Sequence, residues 1–259
     1  MPDLEQLKEI AENLDEMRLG PDDTFRFKCY GCGKCCRDRE DILLNPRDLF
    51  RLAKHLKLEP NQLIDRYCET YVGPQSLAPL VRLLPRGKNK ICPLLKDNRC
   101  SVHASKPIVC ALYPLGRIYA APKDKPDAQP ELGFILQQTT CGGHKTNTVR
   151  DYLESFGIPL EDEFYLEWNT LLMYLSGYSR EALSKGFTMH MMDAVWETIH
   201  NVLYLHYDME ADFQIQFSAN AFSLRAMLEQ VKAATFAPPM GSPCLFPTMK
   251  RIEGIDQAK

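Results

Sequence analysis

The amino-acid sequence predicts an α+β fold, in which an irregular cysteine-rich metal-binding region with short strands is followed by a mainly helical region. Most of the ten cysteines lie in the first 141 residues. Residues 77–140 contain short β-like runs separated by Pro, Gly and charged turns, and the pattern after Thr148 is that of amphipathic helices. We therefore predict a cysteine-cluster metal-binding domain with an N-terminal helix at 1–145 and a helical region at 146–259.

Composition restricts the classes of partner. The chain has 259 residues, 45% of them hydrophobic and 25% charged, which is ordinary for a globular protein with a buried core. Its net charge of -3 gives no reason to expect nucleic acid or an anionic membrane as a partner. The N-terminus does not resemble a secretory signal, and the apolar runs are far shorter than the roughly 20 residues that span a bilayer. We expect a cytoplasmic protein.

The elements of the first half follow from apolar spacing and from helix-start signals. Asn45-Pro46 is typical of an N-cap followed by proline at the first helical position. Thr24–Lys28 alternates apolar and polar residues, which favours a strand. The predicted elements are a helix at 4–17, a strand at 24–28, an extended segment at 41–44, a helix from Pro46 to about His55, and a helix from Pro60 to about Tyr71.

The second half is predicted in the same way. The stretch 121–130, which has three prolines and several charges, is predicted to be a surface loop. Gly157 and Gly177 are predicted to end the helices before them. The predicted elements are strands at 80–84, 117–121 and 132–137, and helices at 149–156, 163–175, 188–207 and 218–232.

The strongest chemical signal is the motif Cys29-x2-Cys32-x2-Cys35-Cys36. A C-x2-C spacing lets two thiolates reach one ion from a tight turn, and Gly31 and Gly33 supply the positive φ that such a turn needs. The basic residues Lys34, Arg37 and Arg39 lie beside the motif in sequence. Their charge would lower the thiol pKa values and offset the negative charge of a thiolate site.

A second set of cysteines follows at 92, 100, 110 and 141. The segment between Cys92 and Cys100 has two short arms around an Asp97-Asn98 turn, and this turn is expected to bring the two cysteines together. Eight cysteines suit two four-thiolate sites or one larger cluster. The predicted metal ligands are Cys29, Cys32, Cys35, Cys36, Cys92, Cys100, Cys110 and Cys141.

The sequence leaves the metal open between an iron–sulfur cluster and zinc. C-x2-C pairs are usual for zinc, whereas the C-x2-C-x2-C run followed by the distant Cys92-Pro93 is typical of bacterial ferredoxins. The adjacent Cys35 and Cys36 are expected to serve two metals rather than one.

Four other residues could be taken for metal ligands, but a simpler interpretation exists for each. His103 and His144 each lie three residues after a cysteine, which is a zinc-ligand spacing, although a polar loop histidine is the commoner case. Cys68 lies beside apolar residues and is predicted to be a buried apolar cysteine. Cys244, in a Pro-rich tail, has no spaced partner.

The first motif, the segment ICPLLKDNRCSVHASKPIVCALYPL at 91–115 and Cys141-Gly142 together resemble the YkgJ-like cysteine-cluster family, whose domain chelates zinc or iron. The resemblance covers roughly residues 25–145. It extends distantly to flagellin lysine N-methylases, which carry a similar cysteine set. This chain departs from the family pattern at Lys106, where arginine is frequent, and at Ala111, where a basic residue is frequent.

The sequence leaves two main functions open, beside a third, metal storage or delivery at exposed and exchangeable sites. In the first, a metal-binding protein uses its iron–sulfur or zinc centre to support methylase-like modification of a protein substrate, or redox chemistry. In the second, a non-enzymatic protein is held together by structural zinc, and its helical half binds a partner. The sequence shows no methyl-donor site, phosphate-binding glycine loop or acid/base pair.

Overall fold

A computed structural model describes residues 14–120, 131–137, 139 and 141–235. The helices are α1 (Leu14–Met17), α2 (Pro46–Leu56), α3 (Pro60–Tyr67), α4 (Ile108–Leu112), α5 (Val149–Glu154), α6 (Glu163–Ser184), α7 (Met189–His200) and α8 (Phe213–Thr235). The strands are β1 (Arg18–Leu19), β2 (Thr24–Lys28), β3 (Leu43–Leu44), β4 (Cys68–Val72), β5 (Pro79–Leu83), β6 (Leu95–Lys96), β7 (Arg99–Cys100), β8 (Leu115–Ala120), β9 (Glu131–Leu136) and β10 (Gly143–Thr148). Short strands precede long helices, which confirms the predicted α+β class.

The start of α2 confirms the predicted cap. The Asn45 side chain accepts a hydrogen bond from the Asp48 backbone N–H at 2.8 Å, and Pro46 is the first helical residue. The prediction that the next helix reaches about Tyr71 was wrong, because α3 ends at Tyr67 and residues 68–72 form β4. The β-branched and aromatic residues of this segment pair along the whole length of β5, so sheet pairing overrides the helical pattern.

The strands form small antiparallel sheets. The sheet orders are β1-β9-β8, β10-β2, β3-β5-β4 and the hairpin β6-β7. The predicted strands at 24–28, 80–84, 117–121 and 132–137 are confirmed to within two residues at either end. Strand β10 was not predicted, and it pairs with β2 across more than a hundred residues of sequence.

The helical region is confirmed, with one helix longer than predicted. Helix α6 does not end at Gly177 but continues to Ser184. Leu171, Leu175, Tyr178 and Ala182 are all buried along one side of it. A mid-helix glycine costs only about 1 kcal/mol, and the burial of this stripe outweighs that cost. The predicted helix at 188–207 is α7 followed by a π-helical turn at 201–205, and α8 begins at Phe213 rather than Ser218.

Two apolar cores lie in the described residues. The large core packs α2, α3 and the sheet β3-β5-β4 against α6, α7 and α8. The small core packs β2, α4, β8 and β9 against α5. Residue 145 lies within β10, and each core takes residues from both sides of it. The division of the chain at 145 stays a prediction.

Some predicted features lie outside the described residues: most of the 4–17 helix, the loop at 121–130 and Cys244. In the portion of the chain that the structure covers, no helix combines the length and the apolarity that crossing a membrane requires.

Candidate metal centre

Strands β2 and β10 bring the first and last predicted ligands to one place. The two strands are antiparallel, with Lys28 opposite Gly143. Cys29 directly follows β2, and Cys141 lies two residues before β10 begins. Both cysteines therefore leave the sheet at the same end, although 111 residues separate them in sequence.

The loop after β2 curls as its glycines allow. Gly31 and Gly33 have φ angles of 65° and 71°, which lie in the left-handed region that glycine adopts without strain. A Cβ on Gly33 would lie 3.0 Å from the Asn98 carbonyl oxygen, so that position also permits close approach of the β6-β7 hairpin. A 3₁₀ turn at 34–36 then carries Cys35 and Cys36.

The hairpin confirms the predicted turn between Cys92 and Cys100. Asp97 and Asn98 have φ angles of 49° and 57°, as a two-residue hairpin turn requires, and β6 and β7 pair on either side. The Cys92 backbone N–H donates to the Cys36 carbonyl at 2.9 Å. This bond joins the first cysteine motif to the second.

Helix α4 carries Cys110, and its first residue is hydrogen-bonded to Asp48. The Ile108 backbone N–H donates to Asp48 Oδ1 at 2.9 Å, and the Asp48 side chain is buried. Burial raises the pKa of Asp48 to about 6, against the opposing effect of that hydrogen bond. Helix α2 of the large core, which carries Asp48, thereby positions Cys110.

All eight predicted ligands line a single cavity of about 80 Å³. A single water molecule needs only ~10–15 Å³, so the cavity has room for more than one ion. Among the residues that the structure describes, no group of three or more Cys, His, Asp or Glu side chains is already arranged to hold a metal ion. Eight thiols from five chain segments nevertheless fit zinc or an iron–sulfur cluster in both kind and number.

Residues 28–141 match the model of the CxxCxxCC family, described as "Putative zinc- or iron-chelating domain". This part of the chain is similar to that family. The match confirms the cysteine-cluster resemblance and agrees with zinc or iron–sulfur as the cofactor, and it contains all eight predicted ligands. No curated protein matches the chain, and no solved structure does so either.

The doubled cysteine Cys35-Cys36 has a geometry that permits shared ligation. The Sγ atoms of Cys35 and Cys36 are 4.0 Å apart. Two thiolates bound to one tetrahedral zinc at 2.3 Å would stand about 3.8 Å apart. Service to two different metals, as the sequence suggested, stays a prediction, because this spacing fits one ion as well.

Backbone amides are directed at several of the thiols. The Gly31 N–H donates to Cys29 Sγ at 3.4 Å. The N–H groups of Leu94 and Val102 likewise donate to Cys92 and Cys100, in each case from two residues further along the chain. Hydrogen bonds of this kind favour the ionised form of a thiol and tune a metal bound to it.

Without a cation, the pKa values of four cavity thiols are raised, those of Cys35, Cys36, Cys100 and Cys110. A hydrogen bond with Cys36, together with burial, raises the pKa of Cys35 far above its usual value. Burial also raises the pKa of Cys110 far above its usual value, and the nearby thiols of Cys36 and Cys100 raise it further. The pKa of Cys92 is lowered, because Cys36 donates to it. A bound cation reverses this balance, since a coordinating thiol loses its proton.

The cationic side chains at the cavity differ in part from those that the sequence indicated. Arg39 lines the cavity and is held by Asp41 through two hydrogen bonds, whereas Arg37 instead donates to Asn98. Lys106 also lines the cavity, with its Nζ 4.2 Å from the Phe156 ring centroid. The domain thus keeps a cation at the position where the family often has arginine.

Other cavity residues show what sequence reasoning missed. His103 lines the cavity, whereas His144 and Cys68 do not, and Cys68 is buried against the large core as predicted. Tyr152 comes from α5, beyond the cysteine-rich segment, and its hydroxyl donates to the Tyr113 carbonyl at 2.5 Å. The Tyr113 hydroxyl lies 3.7 Å from Cys141 Sγ. Tyr113 follows Cys110 at the end of α4, whereas Tyr152 reaches the site through strand β10, which was not predicted and leads directly into α5.

Proposed function

We propose that this protein binds an iron–sulfur or zinc centre through the thiolates of the eight cavity cysteines. The observation that carries the proposal is the single cavity that all eight line. The centre takes the form of two four-thiolate sites or of one polynuclear cluster, because four thiolates satisfy either a zinc ion or a common iron–sulfur cluster. The amide donors to Cys29, Cys92 and Cys100 support thiolate chemistry there.

The centre supports protein modification or redox chemistry in this proposal. An iron–sulfur cluster supplies one-electron chemistry, and zinc supplies Lewis-acid chemistry. The distant likeness to lysine N-methylases favours a protein substrate. The nine described cysteines are all free thiols, which supports a reducing compartment such as the cytoplasm. The net charge of -3 speaks against nucleic acid as a partner.

The test is purification without oxygen, followed by measurement of iron, zinc and acid-labile sulfide per chain. Iron with sulfide identifies a cluster, and about two zinc ions per chain identify closed zinc sites. The matched variants are Cys36→Ser and Cys68→Ser. We expect Cys36→Ser to lose a large part of the metal and Cys68→Ser to keep it, because Cys36 lines the cavity and Cys68 does not. Metal-free wild-type protein, or full metal content in Cys36→Ser, would contradict the assignment.

A structural zinc protein is the second candidate, and the position of the cavity between the cores favours it. Cys92, Cys100 and Cys110 pack against the large core, whereas Tyr113 and Tyr152 belong to the small core. Metal bound there would hold the two cores together.

On the helical side, Ile215 and Phe222 are 73% and 77% exposed and lie seven residues apart on α8, so they offer an apolar stripe to a partner. Two zinc ions without sulfide, and no change in redox state under reductant, would favour this candidate.

A further inference from the structure

A second cavity of about 560 Å³ opens beside the cysteine cavity and shares a wall with it. Cys29, Cys100 and Tyr152 line both cavities. Small-molecule sites usually measure roughly 300–1,000 Å³, so this one has the size of a ligand site. We call it the basic basin, defined by the three cations Lys28, Arg99 and Lys145, which line it but not the cysteine cavity.

The charge of the basic basin has one sign. Among its described lining residues there are Lys28, Arg99 and Lys145 but no Asp or Glu. None of the three takes part in an ion pair with a described carboxylate. Cations that converge on a cleft without compensating carboxylates produce a positive potential that attracts anions. Arginine adds a planar donor fork that matches phosphate and carboxylate.

A β-bulge lies where the backbone presents Lys28 and Lys145, whereas Arg99 comes from strand β7. From Lys28 to Arg26, β2 advances two residues, whereas the paired stretch of β10 from Gly143 to Thr146 advances three. The extra residue interrupts the strict alternation of faces, and Lys145 is exposed within it. Asn147 holds the bulge by donating from Nδ2 to the carbonyls of Phe27 at 2.9 Å and Lys145 at 3.0 Å. The backbone that carries Lys145 is therefore held in place before any ligand arrives.

Aromatic rings form the remainder of the basin. Tyr30 is 67% exposed, and the Lys28 Nζ lies 5.8 Å from its ring centroid. Tyr152 and Phe156, whose ring centroids are 5.2 Å apart, also line the basin. Aromatic rings beside cations suit a ligand that joins a flat or apolar portion to a negative group.

We propose that the basic basin binds a small anionic molecule with an aromatic or apolar portion, and that it holds this molecule against Cys29 and Cys100. Lys28, Arg99 and Lys145 bind the phosphate or carboxylate group, and the rings of Tyr30, Tyr152 and Phe156 pack on the remainder. The placement next to a metal rests on the proposed function, whereas the anion binding does not.

The probes are phenyl phosphate, inorganic phosphate and phenol, titrated by calorimetry into the protein as purified, with its metal content measured on the same sample. We expect phenyl phosphate to bind more tightly than inorganic phosphate, and phenol not to bind. Lys145→Gln should weaken phenyl phosphate about tenfold, as expected for the loss of one charge-assisted contact. Lys145→Arg should restore most of the affinity, and Lys88→Gln, an exposed lysine outside both cavities, should leave it unchanged.

The outcomes separate the two proposals. Absence of metal defeats the proposed centre alone, while phenyl phosphate binding on that sample still supports the basin. Absence of phenyl phosphate binding, equal affinity in Lys145→Gln, or equal binding of phenol overturns the basin. In metal-loaded protein, phenyl phosphate should also perturb the thiolate-to-metal absorption bands, because Cys29 and Cys100 form the shared wall. Tight binding without any spectral change would overturn its placement against those cysteines.

Discussion

The cysteine cavity and the large core hold their shapes by different means. The large core buries side chains such as Leu49, Leu171 and Phe217 completely, on long helices and a three-stranded sheet. The cavity is lined by half-buried or exposed thiols on loops, a 3₁₀ turn, the two-residue strand β7 and the five-residue helix α4. Residues with positive φ recur around it, at positions 31, 33, 38, 97, 98 and 142 among others. One region is thus specified by apolar packing, and the other, under the proposed function, depends on the metal that its thiols bind.

This difference predicts unequal responses to metal removal, which should have the largest effect of any change. Structural zinc contributes about 10 kcal/mol or more to the folding of small zinc domains. We expect a strong chelator under anaerobic conditions to abolish amide-exchange protection in 29–36 and 91–110, while α6 and α8 keep theirs. Hydrogen exchange with mass spectrometry measures both sets in one sample. Equal loss of protection in both regions would show that the large core also depends on the metal.

A largely buried ion triad links α2 of the large core to strand β8 and to the start of α6, and its loss ranks next. Arg47 donates to both carboxylate oxygens of Asp162, at 2.9 and 2.6 Å, and Arg117 donates to it at 3.1 Å. Asp162 also caps α6 by accepting from the Tyr165 N–H. Asp162→Asn keeps a capping residue but leaves two cations uncompensated, which should cost about 3–5 kcal/mol of unfolding free energy. Urea denaturation measures this cost.

The same substitution has a pH signature. Burial alone would raise the pKa of Asp162, but the hydrogen bonds and charge of Arg47 and Arg117 outweigh burial and lower it. A carboxyl whose pKa is lower in the folded state contributes stability above its unfolded pKa, near 4, and loses it as pH falls through the folded value. The gap in stability between wild type and Asp162→Asn should therefore be full at pH 7 and shrink below about pH 4. A gap that is independent of pH would contradict the charge argument.

Truncation inside the large core should cost slightly less and leave the metal in place. Leu171 is fully buried on α6, whereas Met173 on the same helix is 58% exposed. Leu171→Ala should lower the unfolding free energy by about 2–5 kcal/mol. Met173→Ala should change it by less than about 0.5 kcal/mol. Both variants should keep the wild-type metal content per folded chain, and loss of metal in Leu171→Ala alone would show that core packing sets the cavity.

The two regions also differ in what their sequence reveals. Local signals sufficed for the Asn45 cap and the Asp97-Asn98 turn, because each is a short-range backbone requirement. The cysteine spacing identified eight thiols that line one cavity, and their role as ligands stays a prediction. Local signals failed at β4 and at Gly177, where pairing with β5 and burial against the large core overrode propensity.

Features that depend on distant partners had no sequence signal at all. The pairing of β10 with β2 carries Tyr152 to the cavity and Lys145 to the basic basin. The Arg47–Asp162 pair joins residues 115 positions apart. A charged or aromatic residue in a single sequence does not indicate which distant residue it meets, so these contacts become visible only in the folded chain.

The smallest predicted effect concerns the two glycines of the first motif. Gly31 and Gly33 share a left-handed φ, so alanine at either should cost roughly 1–2 kcal/mol of local strain. They differ in surroundings: a Cβ on Gly31 meets nothing within 4 Å, whereas one on Gly33 meets the Asn98 carbonyl oxygen at 3.0 Å. Gly33→Ala should therefore displace the β6-β7 hairpin with Cys100, and it should release metal to a competing chelator faster than Gly31→Ala does. Equal release from both would mean that backbone strain, rather than the approach of the hairpin, governs how the cavity closes on its metal.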